Sequence, residues 1–148
     1  MLYFAGPLFC EAELRFNEWL TSEIEAIGLE VFLPQRDGSI VNQEPYISMP
    51  VEERARAIFY MDKERLSESD IFLYVLDGRV PDEGAAVALG MAYMQKEMRD
   101  KEFLLIGLHT DKRFAFKGEK LNPMIFSSLD YIADSVEGLL NFLSEKRL

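Results

Sequence analysis

Short apolar runs of strand length alternate with longer segments of helical periodicity along this chain. The apolar runs are residues 2–5, 29–33, 71–76, 103–108 and 131–133. Strands that are continuously apolar, instead of alternating with polar residues, are typical of a parallel sheet that helices cover on both faces. The order of the segments therefore predicts a doubly wound α/β domain with a five-stranded parallel sheet.

The segments between these runs carry helix signals. Apolar residues recur at helical spacing over residues 11 to about 27, and Gly28 follows as a C-cap. A second helix is predicted from Pro50 to about Ser67, because proline suits the first turn and two glutamates follow it. Further helices are predicted over residues 84–98, 122–128 and 136–146. We interpret residues 1–148 as a single flavodoxin-like or Rossmann-like domain.

The charge and composition of the chain argue against several classes of function. Its 148 residues include 16 Lys and Arg against 26 Asp and Glu, a formal net charge of -10. Such a surface repels phosphate backbones and anionic lipid, so we expect no nucleic-acid partner and no membrane partner. No apolar run approaches the ~20 residues that cross a bilayer. The first residues lack the basic start of a signal peptide, so we expect a cytoplasmic protein.

Cysteine and histidine are too scarce for several kinds of site. The chain has one of each, Cys10 and His109. That excludes an internal disulfide, a Cys/His zinc cluster and a Cys–His nucleophile pair. We expect neither a metal nor a cofactor.

The loops at the carboxyl ends of the strands are the places to look for a site, because ligands of doubly wound sheets bind there. These loops are residues 6–10, 34–50, 77–84 and 109–122. The segment 34–50 is long for a compact domain and shows no periodicity. We therefore expect it to be an irregular, functional loop.

Five segments, in order along the chain, resemble the motifs of the nucleoside 2-deoxyribosyltransferases. They are Tyr3-Phe4-Ala5-Gly6-Pro7-Leu8-Phe9, Leu33-Pro34-Gln35-Arg36-Asp37-Gly38, Asp62 with Asp70-Ile71 eight residues later, Asp82-Glu83-Gly84 leading into Leu89-Gly90-Met91-Ala92, and Asn122-Pro123-Met124. The resemblance implies exchange of nucleobases on a 2-deoxyribosyl group by double displacement. A glutamate forms a glycosyl ester, and a second acidic group protonates the leaving base. The implied partners are 2'-deoxynucleosides and nucleobases.

The resemblance also implies roles for individual residues. Tyr3 would orient the nucleophile, Phe9 would stack on the base, and the Gln35 amide would read the base edge. Asp62 would bond the base, and Asp82 is the candidate proton donor. Three of these residues could instead have a purely structural role, which we call the structural alternative. Tyr3 could be a core aromatic, Asp62 a solvated helix residue, and Asp82 a helix N-cap.

Further motif residues extend this predicted site. Gly6, Glu83 and Gly84 belong to its substrate-binding loops. Asn122 and Met124 are implied to complete the site of a neighbouring subunit in a homo-oligomer, where the asparagine contacts the 5'-hydroxyl of the sugar. In a monomer, these two residues would be loop anchors.

The chain departs from the family at the nucleophile. The residue before Leu89-Gly90 is Ala88, and a methyl group cannot form a glycosyl ester. Glu83 lies about 140° away around the helix, so we do not expect it to substitute. We favour an engineered Glu-to-Ala substitution that traps substrate over natural loss of activity, because the other motif residues are intact.

Two other functions stay open on these residues. Relatives that hydrolyse 2'-deoxynucleoside 5'-monophosphates share the fold and the first motif. Alternatively, the alanine is native and the chain is a non-catalytic nucleoside-binding module. On the sequence alone, we expect a deoxyribosyltransferase that is nearly inactive as it stands.

Overall fold

The computed structural model describes residues 1–38, 43–98, 102–113 and 121–146. Five strands in this part of the chain form one parallel sheet in the order β2-β1-β3-β4-β5. The strands are β1 (Leu2–Ala5), β2 (Val31–Phe32), β3 (Ile71–Val75), β4 (Leu104–Leu108) and β5 (Tyr131–Ala133). The predicted five-stranded doubly wound sheet is confirmed.

Six α-helices and one 3₁₀ turn accompany the sheet in the described ranges. They are α1 (Glu11–Ala26), α2 (Pro34–Asp37), the 3₁₀ turn Tyr46–Ser48, α3 (Val51–Glu68), α4 (Glu83–Met98), α5 (Pro123–Ser128) and α6 (Val136–Lys146). None of the described helices combines the length and the apolarity needed to cross a membrane.

The expectation of an irregular loop over residues 34–50 is wrong for part of that segment. Helix α2 begins at Pro34, and the Leu33 N–H donates to the Asp37 carboxylate at 2.9 Å. Arg36 binds Glu25 at 2.9 Å and holds α2 against α1. A proline at the first helical position was the available signal. Residues 39–42 of this loop, and residues 114–120 of the predicted loop 109–122, lie outside the described residues.

Alternate side chains of the strands enter two separate cores, as the twofold period of a strand requires. On the α1/α6 face, the buried residues are Leu2, Phe4, Leu20, Ile24, Val31, Leu33, Leu73, Val75, Ile106, Leu108, Ala133, Leu139 and Leu143. On the α3/α4 face, they are Tyr3, Ala5, Phe32, Leu66, Phe72, Tyr74, Leu76, Ala85, Leu89, Ala92, Phe103 and Leu105. Helices thus cover both faces of the sheet.

The connections change direction between β1 and β3, which are neighbours in the sheet with Ala5 paired to Tyr74. In this topology, ligands bind beyond the carboxyl ends of the two strands. Gly6 follows β1 there, and a Cβ at that position would lie 2.9 Å from the Val75 Cβ. A side chain at Gly6 would therefore push the two strand ends apart.

Candidate active site

A cavity of about 820 Å³ opens at the carboxyl end of β1, and its size suits a small-molecule ligand. Its walls come from β1 and the following loop, one residue of α1, the start of α2, the middle and end of α3, and the first half of α4 with the residue that precedes it. The walls are largely apolar. The polar side chains among the lining residues are Tyr3, Gln35, Asp62, Lys63 and Asp82.

Tyr3 combines a core role with a site role. Its side chain is buried, and its ring lies 5.4 Å from the Phe32 ring and 6.0 Å from the Phe72 ring. Its hydroxyl faces Asp62, which also lines the cavity, and the two groups shift each other's pKa. The alternative of a core aromatic is therefore right for the ring, while the hydroxyl contacts a carboxylate of the cavity.

Asp62 lies on the cavity side of α3 and is half-buried, so it is not the solvated helix residue of the structural alternative. Burial raises the pKa of this carboxyl to about 6, while the hydrogen bond from Tyr3 acts in the opposite direction. Burial and the charge of Asp62 both raise the pKa of Tyr3, which stays protonated. Asp62 is therefore a carboxyl that changes its charge just below neutral pH.

Asp82 is the N-cap of α4. Its Oδ2 accepts from the Ala85 N–H at 2.8 Å, and its backbone oxygen accepts from the Ala86 N–H at 3.0 Å. The same oxygen accepts from the Tyr74 hydroxyl at 2.5 Å. The N-cap alternative is confirmed, and the capping side chain also lines the cavity. The two predicted roles are thus compatible.

Ala88 lies half-buried in the wall that α4 contributes, next to the core that contains Tyr3. Its methyl group offers no group for covalent chemistry. Glu83 is exposed and is not one of the residues that line the cavity. Asp82 is therefore the one carboxylate that α4 and its cap bring to the described lining.

The family comparison agrees with this geometry. The family model described as nucleoside 2-deoxyribosyltransferase matches residues 2–124. The chain belongs to the nucleoside 2-deoxyribosyltransferase family. A comparison with curated proteins gives no match.

Solved structures with this fold include known deoxyribosyltransferases. A conserved protein from Enterococcus faecalis V583 is 26% identical, with a TM-score of 0.78 over 99% of this chain and 98% of that one. A 2-deoxyribosyltransferase from Bacillus psychrosaccharolyticus is 24% identical, with a TM-score of 0.74 over 95% and 90%. A 2-desoxiribosyltransferase from Leishmania mexicana is 18% identical, with a TM-score of 0.57 over 99% and 98%. The last two support the fold alone.

The deoxyribosyltransferase motifs imply that Gln35 and Phe9 contact the base. In the structure, Gln35 is hydrogen-bonded to protein groups, whereas Phe9 is exposed. The Gln35 amide nitrogen donates to the Leu14 carbonyl at 2.9 Å, and its oxygen accepts from the buried Asn17 at 3.0 Å. This amide therefore anchors α2 to α1, and protein groups already use its donor and its acceptor. Phe9 lines the cavity while 79% exposed, so its ring is available for stacking on a ligand.

The remaining motif residues lie in three places. Gly6 and Gly84 belong to the cavity lining. Asn122 caps α5, with its Oδ1 accepting from the Met124 N–H at 2.9 Å, and the Met124 side chain is 78% exposed. Neither Asn122 nor Met124 is a lining residue of the cavity in its own chain.

Sequence reasoning missed two polar residues near this cavity. Lys63 is its one cationic lining residue in the described part of the chain, and a lysine on an exposed helix carries no distinguishing signal. Tyr74 lies in the apolar run 71–76, which predicts a strand and no site residue. Its signal was the hydroxyl, since a tyrosine in a fully buried strand needs a hydrogen-bond partner.

Proposed function

We propose that the chain binds 2'-deoxynucleosides and nucleobases in this cavity, and that it is nearly inactive because Ala88 occupies the position of the nucleophile. The observation that carries the proposal is the meeting of Tyr3, Asp62, Asp82 and Ala88 on the walls of one cavity. With glutamate at position 88, the site would hold the groups of a double displacement. In this proposal, residues 1–148 form the single nucleoside-binding domain, and the protein acts in the cytoplasm.

In the glutamate form, the proposed reaction has two steps. A carboxylate oxygen at position 88 attacks the anomeric carbon, the C–N bond breaks, and its electron pair stays on the base, which takes a proton from Asp82. A second base then attacks the anomeric carbon of the glycosyl ester through a ring nitrogen, the ester C–O bond breaks to release the carboxylate at position 88, and the N–H proton of the attacking base returns to Asp82. Two inversions give net retention. Asp62 hydrogen-bonds the base, and Tyr3 orients the nucleophile.

The decisive experiment restores the carboxylate. Ala88→Glu is expected to raise base exchange between deoxyinosine and a second base by several orders of magnitude, because a covalent nucleophile contributes on that scale. Retained configuration at the anomeric carbon is expected by NMR. The matched control is Met94→Glu, which places a glutamate at an exposed position of the same helix outside the cavity lining.

Other outcomes separate the alternatives. Release of free sugar at every acceptor concentration would assign a hydrolase. Calorimetric titration of the Ala88 chain with deoxyinosine and with deoxyinosine 5'-monophosphate tests the preferred ligand, and tighter binding of the nucleotide would favour the monophosphate hydrolase. Binding without turnover in Ala88→Glu would favour a non-catalytic nucleoside-binding module. In that case, Ala88 would be the natural residue.

A homo-oligomer is the second part of the proposal. Asn122 and Met124 lie outside their own cavity, and Met124 is exposed together with Phe126. These observations support a role for the α5 start at a neighbouring subunit's site. Sedimentation at micromolar concentration is expected to show at least a dimer, and Asn122→Ala to weaken deoxyinosine binding. A single monomeric species would overturn this part.

A further inference from the structure

We propose that Tyr74, a buried residue outside the cavity lining, is a positioning residue that fixes the Asp82 carboxylate and thereby sets the affinity of the site for the nucleobase. The inference rests on the proposed function of the cavity. Its first observation is the 2.5 Å hydrogen bond from the Tyr74 hydroxyl to the Asp82 backbone oxygen.

Tyr74 is held rigidly by its surroundings. It is fully buried in the central strand β3, paired with Ala5 of β1 and Gly107 of β4. Its ring contacts the Phe72 ring edge-on, with centroids 6.3 Å apart. Because the strand is hydrogen-bonded on both sides, the hydroxyl is a fixed point from which a loop can be placed.

Asp82 ends the loop that leaves this strand, and the loop needs such a fixed point. At its start, Asp77 accepts from the Thr110 N–H and hydroxyl, both at 2.6 Å. Residues 78–80 are exposed between this anchor and Asp82. The Tyr74 hydroxyl therefore fixes the far end of the loop, where the capping carboxylate enters the cavity wall.

The Tyr74 hydroxyl also stays protonated, so it remains a hydrogen-bond donor. Burial and the neighbouring charges of Asp82 and Glu83 raise the pKa of its hydroxyl above the ordinary value. The phenol therefore keeps its proton throughout the working pH range. The backbone oxygen of Asp82 can only accept, so the direction of the bond is fixed.

The test is Tyr74→Phe, which removes one oxygen atom and keeps the ring in the core. Without this bond, the Asp82 cap is expected to loosen, so the Ala85 amide proton exchanges about fivefold to tenfold faster by NMR. Deoxyinosine binding is expected to weaken by a similar factor. Tyr131→Phe, in the edge strand β5, is the matched control and should change neither quantity.

A double-mutant cycle separates positioning from general loosening. Asp82→Ser keeps an N-cap but removes the carboxylate, so adding Tyr74→Phe to it should cost no further affinity. An unchanged Ala85 exchange rate in Tyr74→Phe would overturn the inference. It would also be overturned if Tyr74→Phe reduced deoxyinosine affinity by the same factor in the parent and in Asp82→Ser. If the parent chain does not bind deoxyinosine, the proposed function fails, and the exchange rate of Ala85 still decides whether Tyr74 holds the cap.

Discussion

The two faces of the sheet are built from different kinds of side chain. On the α1/α6 face, the helices bury large aliphatic residues: Leu20, Ile24, Leu139 and Leu143. On the α3/α4 face, α4 presents Ala85, Ala88 and Ala92, and the strands contribute Tyr3 and Tyr74. Ala85 and Ala88 line the cavity, where their small side chains leave room between the helix and the sheet. The α1/α6 face thus contributes a packed core, whereas the α3/α4 face contributes both a packed core and the cavity.

Strand parity produces this division. Neighbouring residues of β1 point to opposite faces, so Leu2 and Phe4 enter the α1/α6 core while Tyr3 and Ala5 enter the α3/α4 core. Both tyrosine hydroxyls therefore lie on the same side of the sheet, where that of Tyr3 faces Asp62 and that of Tyr74 donates a hydrogen bond to the Asp82 backbone oxygen. A change on one face should consequently affect stability, and a change on the other should affect binding.

The largest expected effect is on stability alone. Leu20→Ala empties a fully buried position of the α1/α6 face, and truncation of a buried leucine costs about 2–5 kcal/mol. Urea unfolding should show this loss, while the affinity of the folded protein for deoxyinosine stays unchanged.

The matched variant on the other face is Leu66→Ala. Leu66 is equally buried, but it lines the cavity, so its truncation should lower both stability and deoxyinosine affinity. Equal effects of the two variants on affinity would contradict the division between the faces.

The sequence predicted the frame of the molecule better than its site. Continuous apolar runs indicated β3 and β4 because both faces of those strands are buried, and a helical period indicated α1. The short helix α2 was missed, since only four residues carry it. The bonds of Gln35 to Leu14 and Asn17 were also beyond reach, because they join residues 18 to 21 positions apart and depend on how α2 docks on α1.

The next largest expected effect is that of Asp62→Asn, which should change both the stability of the fold and the affinity for deoxyinosine. The ordinary pKa of an aspartate is 3.8, and in the folded chain this carboxyl titrates at about 6. Folding therefore favours the protonated form, so its stabilising contribution is complete below pH ~4 and is lost as pH rises through about 6. Asp62→Asn mimics the neutral form and should be more stable than the parent by about 1–2 kcal/mol at pH 8, a value reduced for partial exposure.

Thermal unfolding at pH 4 and pH 8 measures this difference, and we expect the gain at pH 8 alone. Deoxyinosine binding should weaken at the same time by about 1–3 kcal/mol, because a charged hydrogen bond to the base is lost. Asp134→Asn, which removes the same charge from an exposed position, should change neither. A gain at both pH values would contradict the link to burial of the carboxyl.

The smallest expected effect separates the two roles of Asp82. Asp82→Ala removes the cap of α4 and should cost about 1 kcal/mol of stability, whereas Asp82→Ser keeps a hydroxyl cap and should cost under about 0.5 kcal/mol. Both variants take the carboxylate out of the cavity, so both should weaken deoxyinosine binding to the same extent. Urea unfolding and calorimetric titration of the pair measure the two quantities independently. If affinity instead follows stability across the pair, Asp82 acts on the ligand only through the helix it caps, and the α3/α4 face loses one of its two site carboxylates.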